Sequence, residues 1–392
     1  SNLCAHWTIL WALWIFVDQR RVRQFGWWFA VIAVTGLIHN YLLLMVGAIW
    51  ASAMLERLWR RDFAIVAAQG IGVAGLLAAI VALHGLIGPH YIPTHSYGAF
   101  PMALDAIVNP AHQGYVALLP STPDDQGRGF EGFQYLGAGL LALIIAAIGV
   151  ALVRRRPANP PTELRRVVWL IPAFVVLTVL AISNGVLLHG NLIAKIKLSP
   201  GMIDALDPLR ASGRLFWPVA YTVVFAAIAT IARLPQCAAT IVLAGALLLQ
   251  IVDLTPMLAA TRVDTAELME PPVYRRTPDP RWNALIAGSS AIEFQPPDPF
   301  RDLPLLEEIG WRAVNACRPM RFTYLSRVSY AQQVRIDEDH RQFLAGKANP
   351  TRLYVLYPGY PVPAGLRARA RMLDGIVVIP PTAPAPPPDL CR

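Results

Sequence analysis

The chain is 392 residues long, 55% hydrophobic and only 15% charged, with a formal charge of +9. A soluble domain carries about 25% charged residues. The apolar residues here come in long runs, which points to a multi-spanning membrane protein. The positive charge sits in short clusters between those runs, as in cytoplasmic loops, and argues against a nucleic-acid partner.

The first segment, "SNLCAHWTILWALWIFV", starts at Ser1 almost inside an apolar run. It lacks the basic region and small-residue cleavage site of a signal peptide. The expectation is a fragment whose N-terminal part, with further membrane helices, is missing. Apolar runs then cover 3–17, 26–38, 40–56, 63–88, 134–153, 167–188, 215–233 and 237–258. Several approach the roughly 20 residues that cross a bilayer as a helix. Arg20, Arg21 and Arg23 precede residues 26–56, and Arg57, Arg60 and Arg61 follow them. Lys and Arg mark the cytoplasmic side. Two short spans turning at His39 and Asn40 keep both clusters inside, whereas one long helix separates them.

By alternation, 63–88 goes out, 89–133 is an outer loop, and 134–153 returns to the basic stretch "RRRPANPPTELRR". Residues 167–188 go out, 189–214 form a second outer loop, 215–233 come in and 237–258 go out. The fold expected for 1–258 is therefore a mainly α, multi-spanning transmembrane bundle. The tail, 259–392, is polar and Pro-rich and is expected outside. In it "NALIAG" and "LPLLEEIGWRAVNACRPM" read as helices, and "TRLYVLYP" and "GIVVIPP" as buried strands. Together they predict a small extracytoplasmic α/β domain ending in an extended Pro-rich strap. Cys317 and Cys391 both fall there, either as a disulfide or as two free thiols. Cys4 and Cys237 read as small apolar residues. No CxxC or HExxH pattern marks a zinc site.

The first outer loop collects His95, Asp105 and Glu131. Asp124, Asp125 and Arg128 in "PDDQGRG" read as solvated. Glu131, in "GFEGFQYLGAGLL", is either an acid at the start of a helix or part of a site, because a carboxylate at a membrane boundary is costly unless used or paired. His39 and Asn40 either bond a neighbouring helix or form a pocket wall. In "DPLRASGRLFW", residues 207–217, Arg210 and Arg214 are four apart and share a face if a helix has begun. Basic residues on the outer side run against the charge rule. With Ser212 and Gly213 between them allowing close approach, two guanidiniums suit a phosphate. The opposing reading is an ion pair with Asp204, Asp207 or Glu131 and snorkelling to headgroups.

"IHNYLLLMV", "FEGFQYLGAGLLAL" and "LDPLRASGRLFWPVAY" resemble segments of the GT-C superfamily of membrane glycosyltransferases, more closely of uncharacterised bacterial GT-C-like proteins of domain-of-unknown-function type. The resemblance implies sugar transfer from a polyprenyl-phosphate-linked donor to a glycan, lipid or protein acceptor, at the outer face of a bacterial inner membrane. It implies a phosphate role for Arg210 and Arg214, with His39, Asn40, His95, Asp105, Glu131 and Ser212 around the same cavity. The family's catalytic acid lies in the first outer loop, expected in the missing part, so its role is assigned to no residue here; Glu131 is the remaining candidate. Some relatives use a divalent metal ion, to which Asp105 or Glu131 would contribute, although no spacing here supports one. The alternatives are a transporter or flippase for a lipid-linked intermediate, and a non-catalytic envelope assembly protein.

Overall fold

The computed structural model describes residues 2–83, 95–111, 115–122, 131–153, 166–269, 274–325 and 328–387. The described chain is mainly helical and divides into two units, one within residues 1–263 and one from Asp264 onward. The expected boundary at 258 falls inside a helix, because Thr255–Met269 continues the chain across it.

The first unit is built from α1 (Trp7–Val17), α2 (Phe25–Ile38), α3 (Asn40–Trp59), α4 (Phe63–Leu83), α5 (Ala138–Val153), α6 (Ile171–Ile182), α7 (Pro200–Leu206), α8 (Trp217–Ile231), α9 (Gln236–Asp253) and α10 (Thr255–Met269). Four helical segments, Asn40–Trp59, Phe63–Leu83, Ser212–Ile231 and Gln236–Asp253, are long and apolar enough to cross a membrane. α1, α2, α3 and α6 share a core around Ile9, Phe16, Trp28, Met45, Ile49 and Leu177. α5, α8 and α9 form a second cluster through Leu143, Ala147, Ala227 and Ile231. Outward-facing side chains such as Ile71, Ile145, Leu247 and Leu248 are large, apolar and exposed. A lipid-facing surface has this character.

The break between α2 and α3 is a single residue. His39 is extended (φ −164°, ψ 127°), and its Nδ1 accepts the Tyr41 N–H at 3.1 Å as the cap of α3. α3 runs on to Trp59, past the expected end of that span. The run 167–188 is not one helix. α6 stops at Ile182, and Gly185–Leu188 (β1) pairs antiparallel with Asn191–Lys195 (β2). His189 and Gly190 between them have φ of 49° and 74°, the left-handed pair that a two-residue hairpin turn requires. The run 134–153 likewise starts late, because Asp253 Oδ2 accepts the Ala138 N–H at 2.9 Å and sets the first turn of α5.

The second unit holds a four-stranded sheet in the order β3 (Ile292–Gln295), β4 (Leu353–Leu356), β6 (Ile376–Ile379), β5 (Arg371–Leu373). β3 and β4 are parallel; the other pairs are antiparallel. α11 (Arg281–Ala287), α12 (Leu303–Asn315) and α13 (Tyr330–Leu344) accompany it. β4 is buried on both faces: Leu353 and Val355 join the core of Trp282 and Ile309, while Tyr354 and Leu356 pack with Phe343 and Leu366. A short continuous apolar run reads this way when both faces of a strand are covered. The Pro-rich strap is pinned where it is described: Thr382 N–H donates to Pro350 O at 2.7 Å, and Arg318 Nη1 to Pro386 O at 2.8 Å. Cys317 is disulfide-bonded and Cys4 and Cys237 are free; Cys391 lies outside the described residues.

Candidate functional site

α1, α3 and α6 each run between the same two polar clusters. At one end Val17, Glu56, Arg60 and Arg166 meet. At the other, the cap residue His39, Tyr41, the end of α6 and the segment 210–214 meet. The expected site residues belong to this second end.

Glycine makes the approach there. A Cβ on Gly213 would lie 2.4 Å from Gly132 Cα, and one on Gly132 would lie 2.2 Å from Pro101 O. Three backbone segments, 100–102, 131–134 and 211–214, therefore touch. Gly213 N–H donates to Phe100 O at 3.2 Å, and Gln134 Nε2 to Gly213 O at 2.8 Å. This contact brings Glu131 against Arg214, and the two form an ion pair with 15% of each side chain exposed.

Arg210 and Arg214 are not on one α-helical face. Ala211 (φ −89°, ψ 54°) breaks the chain, Ser212–Phe216 forms a 3-10 turn, and α8 begins only at Trp217. Arg214 sits 5.9 Å from the Tyr41 ring centre, and Tyr41 Oη accepts the Ala211 N–H at 2.8 Å. Arg210 lies 5.8 Å from the Phe100 ring centre. Among the described residues no carboxylate pairs with Arg210. Asp204 instead meets His95 Nδ1 at 2.8 Å, and Asp207 accepts the Ser96 N–H at 3.0 Å.

Glu131 does not head a helix, since it stands in a turn before α5 and Asp253 supplies the acid at that helix start. Ser212 is fully buried, with its Oγ 3.5 Å from Ala181 O, and so lines no open cavity. Asn40 is exposed at the start of α3. Asp105 is occupied by His189 Nδ1 at 3.1 Å and Asn109 Nδ2 at 2.9 Å, and His95 by Asp204. Neither shares a described bond with Arg210, Arg214 or Glu131. Asp124, Asp125 and Arg128 lie outside the described residues. His39 is brought close to Arg214. Burial first, and then the charge of Arg214, hold its imidazole below the ordinary value, which agrees with an Nδ1 that accepts a hydrogen bond.

His6 belongs to this end as well. Its Nδ1 is 2.7 Å from Tyr221 Oη, and its ring lies 3.9 Å from that of Trp217. From sequence alone a histidine in the first apolar run reads as a packing or interfacial residue. Only the packing of α1 against α8 gives it these partners. Among the described residues no three His, Cys, Asp or Glu side chains gather as a metal site; the Asp105–His189 and His95–Asp204 pairs each offer two groups.

The cluster thus combines a shielded ion pair, a guanidinium near an aromatic ring with no described carboxylate partner, and two histidines. Such a set has the chemistry to pair with an anion, with a carboxylate close by. Compared with known proteins, the chain has no match among curated proteins and none among solved structures. Residues 281–381 match a family described as the DUF6311 C-terminal domain. Residues 1–255, well over half of the chain, match the family described as "Domain of unknown function (DUF6311)", and the chain belongs to the DUF6311 family.

Proposed function

We propose that the helical unit is a GT-C-like membrane glycosyltransferase module that takes a polyprenyl-phosphate-linked sugar at the end carrying Arg210 and Arg214. The observation that carries this reading is Arg210: a guanidinium four residues before the shielded Arg214–Glu131 pair, 5.8 Å from the Phe100 ring centre and bound to no described carboxylate. A phosphate arriving there pairs with Arg210 and competes with Glu131 for Arg214. In transfer, the bond between the anomeric carbon and the phosphate oxygen breaks, and the polyprenyl phosphate leaves with the electron pair. The acceptor hydroxyl forms the new bond. Glu131, displaced from Arg214, takes its proton, while the guanidiniums hold the growing charge of the leaving group. The acid that marks the GT-C family is assigned to no residue of this sequence. On this reading the arginine end faces the outside of a bacterial inner membrane, and the basic end faces the cytoplasm.

The test is binding of polyprenyl phosphate to the protein in nanodiscs, followed by native mass spectrometry. Arg210→Ala should weaken binding about tenfold, a loss of about 1.4 kcal/mol. Arg210→Lys should recover part of it, since a point charge lacks the planar fork. Glu131→Gln should strengthen binding by freeing Arg214, yet abolish transfer. Equal binding by wild type and both arginine variants would remove the phosphate role. It would leave the assembly-protein reading, in which the Arg214–Glu131 pair only pins loop to helix.

A further inference from the structure

The end of the helical unit opposite Arg210 gathers a cluster of guanidiniums around a cavity. Gln19, Arg23, Glu56, Arg57, Arg60 and Arg166 line a cavity of about 150 Å³, far above the roughly 10–15 Å³ that one water needs. Within the lining four guanidiniums face one carboxylate, Glu56, while a second, Asp62, pairs with Arg57 from outside it. Glu56, fully buried, is shared: Arg166 Nε reaches its two oxygens at 3.2 and 2.9 Å, Arg166 Nη2 lies 2.8 Å from Oε2, and Arg60 Nη2 lies 2.8 Å from Oε1. Arg57 is 4% exposed and donates through Nη1 to Asp62 at 3.0 Å, while its buried Nε has no hydrogen-bond partner. Among the described residues Arg23 has no carboxylate partner. Arg57 and Arg166 are both more than nine-tenths buried, paired with Asp62 and Glu56 respectively, so with Arg23 and Arg60 the cluster sets four guanidiniums against two carboxylates, an excess of positive charge that a buried setting penalises.

We propose that this pocket binds a phosphate group. A tetrahedral dianion or phosphodiester supplies the missing negative charge and offers acceptors to guanidiniums from several directions. Arg23 enters from the turn before α2, Arg57 from the last turn of α3 and Arg60 from the residue that caps it, and Arg166 from the segment before α6, so the anion would tie three helix ends together. The phosphate is either a free anion or the headgroup of an anionic lipid at the membrane surface, where basic pockets between helices attract both.

The test uses the full chain in nanodiscs and reads the midpoint of thermal unfolding. In nanodiscs of neutral lipid, inorganic phosphate at constant ionic strength should raise the midpoint of the wild type in a saturating manner. Arg23→Gln with Arg60→Gln, both exposed, should raise the half-saturating concentration at least about tenfold. Arg61→Gln, an exposed arginine outside the lining, should leave it unchanged. If free phosphate has no effect but phosphatidylglycerol in the nanodisc raises the midpoint of the wild type and not of the double variant, the ligand is a lipid headgroup. No shift with either, or the same shift in all three proteins, overturns the site. None of these outcomes depends on polyprenyl phosphate at the other end.

Discussion

Arg214 and Glu131 meet because Gly132 and Gly213 lack side chains, and the pair is shielded enough for its charges to matter. Removing one partner leaves the other partly buried and unpaired. Glu131→Gln and Arg214→Gln should each destabilise the protein by about 1–3 kcal/mol. The double variant should cost less than the sum of the two, because neither charge is then left alone. Denaturant unfolding in micelles measures the cycle, and additive losses would mean that the pair contributes no coupling. His39 shows how a single residue serves two purposes. Its Nδ1 caps α3, and the same imidazole stands within the field of Arg214. The residue type at 39 marks a polar break in the sequence; its partner lies 175 positions away and appears only when α3 packs beside the turn at 212–216.

Between elements, Asp253 joins α9 to α5. It is fully buried and accepts from Tyr135 Oη at 2.6 Å, Ala138 N at 2.9 Å and Leu118 N at 3.2 Å. Asp253→Ala leaves three donors unsatisfied and removes the cap of α5, so a loss of about 2–3 kcal/mol is expected. Hydrogen exchange at the start of α5 should speed up first; unchanged protection there would refute the anchoring role. In the second unit, the alternation of β3 puts Ile292 and Phe294 in the apolar core and Glu293 and Gln295 on the other face, with Arg352, Asp339 and His340. Burial pushes the Glu293 carboxyl above its usual range, although Arg352 draws it down. Burial likewise holds the His340 imidazole below its ordinary value, against the opposing charge of Asp337. The unfolded chain binds the His340 proton more tightly, so this residue loses stability as pH falls through the ordinary histidine value toward its folded one. The folded chain binds the Glu293 proton more tightly, so this residue adds stability on acidification, which is lost as pH rises through its folded value. His340→Gln should therefore flatten the decline in protection of the β3 and β4 amides below about pH 6.5. Glu293→Gln should steepen the acid decline, and curves parallel to wild type in both variants would contradict the assignment.

For the whole molecule, the three basic segments at 20–23, 57–61 and 166 belong to one end of the helical unit. Asp253, where α9 finishes, binds the loop residues that lead into α5. On the proposal that the basic end faces the cytoplasm, the chain is expected to leave the helical unit on the outer side, which makes the C-terminal unit extracytoplasmic. Alkaline phosphatase fused after residue 392 should be active in a bacterial host, and a fluorescent protein that folds only in the cytoplasm should be dark there. The opposite pattern inverts the topology and with it the assignment of Arg210 and Arg214 to the outer leaflet.

Composition and spacing alone settled the mainly helical character, the apolar segments, the turn at His39 and, in the C-terminal sheet domain, two helices (α11, α12) and two strands (β4, β6); β3, β5 and α13 were not read from the sequence. These are local properties: hydrophobic period, run length and turn chemistry act within about 20 residues. The hairpin at 185–195 lay hidden inside an apolar run, because a short buried strand and a helix look alike until a partner strand fixes the choice. The candidate site was legible as residue types, Arg210, Arg214, Glu131 and His39, but not as a geometry. The chain break at Ala211 separates the two arginines, Asp105 and His95 have partners of their own, and His6 joins from the far end of the chain. The proposed phosphate cavity around Glu56 depends on side chains from positions 19 to 166, whose arginines by themselves read as ordinary cytoplasmic-side charges. Tertiary structure decides such sites because a buried charge takes its meaning from whatever lies within a few ångströms, and those neighbours are distant in sequence.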